Sequence, residues 1–542
     1  LPIGVAARMI TLPSSPYSDL VTVVELRGSR LDDAWDRWML RPGMRRLWQW
    51  GAPAAVVATA SVLRLVNVGH PHQLVFDETY YVKDAYTLWN LGYEGAWPAN
   101  ANEDFNAGAT DTFTTDPAFV AHPPFGKWLI SLGLAVFGAE NSFGWRVSTA
   151  LVGILLVVVT MLIAHRLFRS TLLTVIAGGL LAIDGNAIVL SRISLLDTYI
   201  ALLALVGAYF VLLDRTWSDR RLRAWLAARE SRGLPTDWGP VLWWRPWLIA
   251  AALLFGLASA TKWNGVFFLA GFGLYSVISD VFLRRRAGVT FYVTGTVLRQ
   301  GPVSFLLMVP LAVAVYVTSW TGWFASAGGY YRHWVEGGGT AWTGLLSWVP
   351  LDVQNWWHYQ VAILNYAANE HTPHGYQANP LTWLFLIRPT SMYYESFPDG
   401  SVATILDIAN PLIWWAGTAA IGFCLYRVIS GLIKRRRVWV EAFILTGVAA
   451  GYLPWMFYLN RTVFQFYTIV FEPYLILALT AAIAFLLGSR NDLESRRVAG
   501  LRTVAIFLGL CLVLSAFFLP VWTGMEVSNW FMRLHFWLPT WI

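Results

Sequence analysis

Charge is scarce in this chain. Of its 542 residues only 13% are Asp, Glu, Lys or Arg, against roughly 25% in an ordinary soluble domain. Cysteine is nearly missing: Cys424 and Cys511 are the whole supply, and both lie in apolar runs. That excludes a disulfide-stapled scaffold and a cysteine-rich metal site, and leaves two small buried hydrophobes. No internal repeat, low-complexity tract or separate soluble segment interrupts the sequence. What is present is 56% hydrophobic residues, 31 Trp and a mean hydropathy of +0.50. This composition excludes disorder and a string of soluble domains, and it specifies an integral membrane protein.

A bilayer core about 30 Å thick needs about 20 apolar residues per helix. Eleven stretches qualify: 49–66, 145–164, 171–190, 195–213, 246–261, 264–283, 301–320, 410–432, 439–457, 464–487 and 503–523. A further run, Phe125–Gly138, is too short to cross comfortably. Charge decides its place, because cytoplasmic loops collect Lys and Arg. With eleven spans and the N-terminus inside, the basic loops at Arg166/Arg169, Arg215–Arg245, Arg284–Arg286, Lys434–Arg437 and Arg490–Arg502 all fall on the cytoplasmic side. About three quarters of the 39 basic residues then lie inside. A twelfth span at 125–138 would flip every later loop, so that run is expected to lie along the outer interface as a juxtamembrane helix. The net charge of +7 therefore reports a membrane surface and not nucleic acid. The first 48 residues read as a cytosolic arm ending in an interfacial helix near Leu31–Trp48, and 524–542 as an outer interfacial tail. The first apolar run comes after a long polar stretch, unlike the short n-region of a cleaved signal peptide.

Two outer connections stand out by size, 67–144 and 321–409. Long loops are functional or disordered, and these are rich in Trp, Tyr, Asn and His, so the chemistry is expected between them.

The first loop carries Phe76-Asp77-Glu78-Thr79-Tyr80-Tyr81. Adjacent carboxylates read as an acid/base pair, as a seat for a divalent ion, or as a plain solvated pair. Further on, Ala121-His122-Pro123-Pro124-Phe125-Gly126-Lys127-Trp128 sets an extended entry into a helix, with His122 and Lys127 at its mouth. Arg146, Arg192, Lys262 and Arg461 sit at outer helix ends, against the positive-inside bias. Singly each is a snorkelling anchor; together on one face they suit an anionic ligand, since the guanidinium fork matches phosphate. The second loop holds His358-Tyr359, Asn365-Tyr366 and Asn369-Glu370-His371-Thr372-Pro373-His374-Gly375-Tyr376. Seven-residue spacing puts His358 with Asn365, and Tyr359 with Tyr366, on one helical face. A metal at His358, His371 and His374 lacks any supporting ligand spacing. Asp184 and Glu472 are acids inside spans, and such acids are functional suspects by default.

These segments resemble the protein O-mannosyltransferases, in their bacterial, actinobacterial-looking branch. The likeness rests on Asp77-Glu78 after the first span and on the His122-Pro-Pro-Phe-Gly-Lys127 helix. It continues through Phe143-Gly144-Trp145-Arg146, Ser191-Arg192 with Leu196-Asp197, and Thr261-Lys262-Trp263-Asn264-Gly265. It ends in Pro373-His374-Gly375-Tyr376, Trp383 and Arg388-Pro389. The resemblance runs in order over nearly all of 45–525. It implies an all-α, polytopic glycosyltransferase of the GT-C type in the plasma membrane. The donor it implies is polyprenyl-phosphate-mannose, and the acceptor a Ser or Thr of a secreted or membrane protein outside the cell, with the protein-export channel as a candidate partner. The family's base maps to Asp77, with Glu78 beside it, and its phosphate-contacting arginine to Arg146, with Lys127, Arg192, Lys262 and Arg461 in support. His122, His358, Asn365, Tyr366, His374 and Tyr376 fall to the sugar or acceptor side. Eukaryotic members insert a β-trefoil (MIR) domain in the second large loop; 321–409 is too short to hold one, as in the bacterial branch.

The chemistry agrees. A hydroxyl nucleophile needs a base, whereas a phosphate leaving group needs charge stabilisation more than a proton. One carboxylate and a basic cluster suffice, and direct displacement inverts the sugar carbon. No cofactor is required, although a divalent ion at Asp77/Glu78 is compatible with the residues. Two rivals remain at this stage: another GT-C transferase acting on lipid or glycan, and an anionic-lipid transporter or flippase. Transporters show midplane polar sites and inverted repeats; here the polar residues gather outside the spans.

Overall fold

The computed structural model describes residues 29–542. The first 28 residues of the expected arm lie outside the described residues. The described chain folds as a helical bundle. Seven helices are long and apolar enough to cross a membrane: Ser142–Phe168, Leu196–Glu230, Gly265–Arg286, Tyr292–Ser319, Pro411–Ile433, Trp439–Phe457 and Glu494–Thr523. Four shorter apolar helices join them: Phe125–Phe137, Thr171–Ile183, Pro246–Thr261 and Glu472–Leu487.

Sequence signals set the ends of these helices. Asn141 and Ser170 accept hydrogen bonds from the first turns of the helices they precede. Pro246 and Pro411 occupy first helical positions, where a missing N–H costs nothing. The 35-residue Leu196–Glu230 helix is about 50 Å long at 1.5 Å per residue, so its basic second half extends beyond a bilayer core. At that end Arg245 pairs with Asp214 and Asp280, tying two spans to the start of a third.

The expected interfacial helix begins at Arg30–Met39, anchored by Asp32 on Arg497. The Phe125–Phe137 helix packs on Ser142–Phe168 and on Glu78–Leu91. Gly133 permits the first contact: a Cβ there would strike the Gly144 carbonyl oxygen. The expected span at 171–190 is broken into Thr171–Ile183 and Gly185–Leu190, and the one at 464–487 starts as a 3-10 turn, Gln465–Val470, before Glu472–Leu487.

The all-α expectation needs one correction. Strands β1 (Thr390–Ser396) and β2 (Ser401–Asp407) form an antiparallel hairpin, and β3 (Glu526–Ser528) from the tail adds to β2. The turn is Phe397-Pro398-Asp399-Gly400-Ser401, with Gly400 at φ +83°, a conformation glycine adopts without strain.

Candidate active site

The candidate chamber lies where the 67–144 connection meets the start of the Leu196–Glu230 helix, the break at Lys262 and the Gln465–Val470 turn. Asp77 is the residue just before the Glu78–Leu91 helix, and its carbonyl accepts the first turn's N–H groups from Tyr80 and Tyr81. Phe76 precedes it at φ +47°, a left-handed conformation that costs a non-glycine residue about 1–3 kcal/mol. Its ring is gripped edge-on by His374, Phe464 and Phe466 at 5.5–5.8 Å. That grip fixes where Asp77 points.

Asp77 and Glu78 are neighbours in sequence and not in space. One residue turns a helix by roughly 100°. Glu78 is buried and fully occupied: Arg146 Nε and Nη2 donate to its two oxygens, both at 2.8 Å, and the N–H groups of Ser194 and Val75 donate at 2.8 and 3.1 Å. The expected joint carboxylate pair, as a catalytic or metal-binding unit, is therefore not formed. Among the described residues no three His, Cys, Asp or Glu side chains cluster in a way that could hold a metal ion.

Asp77 instead faces Tyr81, whose hydroxyl donates to Oδ2 at 3.5 Å, and lies within electrostatic reach of Lys262 and Asp197. Burial raises its carboxyl to about 6; Lys262 and the Tyr81 bond act against burial, and Asp197 with it. His122 lies across from Tyr81, ring centres 5.9 Å apart. Burial pushes its imidazole well below the usual range, and the cations Lys262, Lys127 and Arg461 push it further. The ring is neutral at neutral pH and available for hydrogen bonding.

Lys262 caps the Pro246–Thr261 helix in extended backbone, at the break before Gly265–Arg286. Its Nζ donates to Asp197 at 3.0 and 3.2 Å and rests 4.0 Å from the Tyr467 ring centre. Arg461 closes the far side. Its guanidinium stands 5.9 Å from the Trp455 ring, its Nε is buried with no hydrogen-bond partner, and among the described residues it forms no ion pair. It is the chamber's uncommitted positive charge.

The other expected phosphate contacts are committed elsewhere. Beyond Glu78, Arg146 donates to the carbonyls of Pro71 and Gln73 at 2.8 and 2.9 Å. Arg192 donates to the carbonyls of Leu63, Val66 and Asn67 at 2.8–3.1 Å, tying down the chain at the end of the Ala52–Leu65 helix. Lys127 is buried between Asp84 and Glu94. The reason is general: buried cations require partners, and these three have them inside the fold.

The second loop divides as well. His374 reaches the chamber wall through Phe76 and Phe464, and Tyr376 lies two residues on, its N–H donating to His374 Nδ1 at 3.1 Å. The Tyr376 ring stacks under Arg388, which itself binds the Gly375 and Ile542 carbonyls. Tyr366 packs on Phe119 at 5.7 Å, within electrostatic reach of Arg461. Asn365 is exposed on the same helix, Leu351–Asn369. His358 departs from expectation: it stacks face-on with Trp334 at 3.8 Å and packs the loop. His371 binds the Asn460 carbonyl at 3.0 Å. The three histidines thus have separate partners, and no shared metal position forms.

Sequence reasoning missed Tyr81, Asp197 and Tyr467 as chamber residues. The first two were within the motifs, Asp77-Glu78-…-Tyr81 and Leu196-Asp197, while Tyr467 sits in an apolar run with no local signal. The mid-span acids meet at a helix break, where Glu472 keeps one buried oxygen without a partner among the described residues. Asp184 accepts the N–H groups of Asn186 and Asn410, both at 3.0 Å, at the break after Ile183, and Asn186 donates to Glu472 at 2.7 Å. They hold a helix break together.

Two family profiles match the chain. One, described as the C-terminal four TMM region of protein-O-mannosyltransferase, covers residues 352–541; the other, dolichyl-phosphate-mannose-protein mannosyltransferase, covers 121–235. The chain is 31% identical to the polyprenol-phosphate-mannose–protein mannosyltransferase of Mycolicibacterium smegmatis, over 91% of this chain and 93% of the relative. It is 32% identical to the protein of the same description from Mycobacterium tuberculosis, over 92% of each. The Saccharomyces cerevisiae protein O-mannosyltransferase Pmt1–Pmt2 complex bound to the sugar donor superposes with a TM-score of 0.69 over 95% of each chain, at 13% identity, a likeness of fold. On these matches the chain is a multi-pass GT-C membrane glycosyltransferase and belongs to the protein O-mannosyltransferase family.

Proposed function

We propose that this protein transfers mannose from polyprenyl-phosphate-mannose to Ser or Thr hydroxyls of exported proteins, at the outer face of the plasma membrane. The observation that carries the reading is that the raised carboxyl of Asp77 and the guanidinium of Arg461, whose buried Nε has no hydrogen-bond partner among the described residues, both lie within electrostatic reach of Tyr467. A half-buried guanidinium with an unfilled buried donor suits an anion, and a lipid phosphate at the end of a transmembrane bundle supplies one. The names borne by the mycobacterial relatives support the choice of donor and acceptor.

In this reaction Asp77 takes the proton of the acceptor hydroxyl. The hydroxyl oxygen bonds to C1 of mannose from the face opposite the phosphate, and the C1–O bond to phosphate breaks. Its electron pair stays on the phosphate oxygen, and the sugar carbon inverts. Arg461 and Lys262 stabilise that developing charge. Asp197 keeps Lys262 charged and in place, and neutral His122 hydrogen-bonds the sugar. Arg146, Arg192 and Lys127 shape the loop that carries Asp77 and are not assigned to the donor. His374, Tyr376, Tyr366 and Asn365 form the acceptor-side wall. Acceptors meet this wall as they leave the export channel, while still extended.

Asp77→Asn keeps the side chain's shape and removes the base. Mannose transfer to a Ser/Thr peptide from labelled lipid donor is expected to fall by about 10²–10⁴-fold, with donor binding retained. Near-normal transfer by this variant would remove Asp77 from the role. Asp184, a mid-span acid that a transporter would use, accepts the N–H groups of Asn186 and Asn410 at the Ile183 helix break, which favours the enzyme.

A further inference from the structure

The end of the bundle opposite Asp77 holds a second concentration of unpaired positive charge, and nothing in the transfer reaction uses it. The Gly265–Arg286 helix connects the two ends. Its first residues border the Lys262 break, and its last turn carries Arg284, Arg285 and Arg286, about 30 Å away at 1.5 Å per residue.

At that far end a cavity of about 460 Å³ opens between the Ser142–Phe168 and Leu196–Glu230 helices, lined by His165, Arg166, Arg169, Arg215, Arg220 and Trp439. A smaller neighbour of about 290 Å³ shares Arg169, Arg215 and Trp439 and adds Arg223, Arg286 and Arg437. The one acid there, Asp219, is taken by Arg223 at 3.1 Å. Arg215 is the centre of the arrangement. Its guanidinium stacks 4.2 Å from the Trp439 ring, and its Nε is buried with no hydrogen-bond partner among the described residues. Solvated basic loops spread their charges apart; here arginines from four separate segments line the smaller concavity, and one of them, Arg215, keeps a buried donor unused.

The same Arg215, Arg286 and Trp439 form the end of a long apolar groove of about 610 Å³. The groove runs along Leu274, Ile278 and Phe282 of one helix and Ala442, Thr446 and Ala449 of the facing one. A polar cavity rich in arginine that opens into an apolar trough has the two-part chemistry of a phospholipid: phosphate at the arginines, acyl chain in the trough. A soluble phosphate has no use for the trough.

We propose that this face binds one anionic glycerophospholipid of the leaflet at the basic end, its phosphate held by Arg215 with Arg169, Arg286 and Arg437, and one acyl chain lying in the groove. The site is independent of the donor chamber and does not rest on the mannosyl-transfer reading.

The test uses the full chain purified in detergent and relipidated with phosphatidylglycerol or phosphatidylcholine. Retention of each lipid is read by native mass spectrometry. Phosphatidylglycerol is expected to be retained at least tenfold over phosphatidylcholine, with the preference falling as salt rises. The exposed-residue variant Arg437→Gln is expected to reduce that preference several-fold, and Arg215→Gln to abolish it. Affinity for polyprenyl-phosphate-mannose should be unchanged in both. Should Arg215→Gln fail to fold, Arg437→Gln combined with Arg286→Gln, both on exposed arginines, carries the test. Equal retention of the two lipids, or a preference that survives these substitutions, overturns the proposal. So does full competition by soluble glycerol 3-phosphate, which would make the trough irrelevant, or displacement of phosphatidylglycerol by polyprenyl phosphate at equal concentration, which would make the site one for the carrier lipid.

Discussion

The Glu78–Arg146 pair and the Asp77–Arg461 chamber begin one residue apart in sequence and spend their charge in opposite ways. On one side the carboxylate and the guanidinium consume each other and the surrounding backbone. On the other the carboxyl is raised by burial and the arginine's buried Nε has no partner among the described residues. The contrast separates a ligand site from a structural one among buried charges. Here the charges whose hydrogen-bonding capacity is filled by the fold anchor the loop, and Arg461, with a buried donor unfilled, is the one free to meet a ligand.

The largest effect is expected where the pair is broken. Removing one partner of a buried ion pair costs about 3–5 kcal/mol, so Arg146→Ala should lower thermal stability in detergent severely. A variant that melts like the parent protein would show that Glu78 and Arg146 are not the loop's anchor. Next comes pH. Asp77 accepts a proton only when ionised, and its carboxyl titrates at about 6. Transfer is therefore constant above that value and falls roughly tenfold per unit below it. A rate that stays level down to pH 4.5 would mean that no group with this property serves as base. The smallest effect belongs to the acceptor wall. Tyr376→Ala should raise the peptide KM a few-fold and leave donor affinity alone; a loss of donor binding would move the loop to the donor side.

Much of this was legible in the sequence, and the remainder shows where such reading stops. The long apolar runs marked the helices of the bundle, and Phe125–Phe137 forms as a helix of its own, shorter than the seven long enough to cross a membrane. The charge of Arg146, Arg192 and Lys127 was visible, but their partners were not. Those partners are Glu78, carbonyls at 63–73 and acids at Asp84 and Glu94, brought near only by folding. Arg461 looked no different from the other four. Its distinction is an unfilled donor, and no sequence pattern records that. The β1–β2 hairpin was legible and overlooked: Pro398-Asp399-Gly400 between two β-branched and aromatic runs is a turn signal. Tyr467 gave no signal, because an apolar run does not say which ring faces a cation.

Arg461, and not Arg146, is the residue expected to meet the donor phosphate. Titration of polyprenyl-phosphate-mannose into purified Arg461→Gln, with the melting temperature recorded on the same sample, separates the two. A lost charge-assisted hydrogen bond is worth about 1.5–3 kcal/mol, so donor affinity should fall by roughly 10–100-fold while the melting temperature stays within a few degrees of the parent protein. Unchanged donor affinity in Arg461→Gln, together with a large loss of affinity in a still-folded Arg146→Lys, would contradict this assignment.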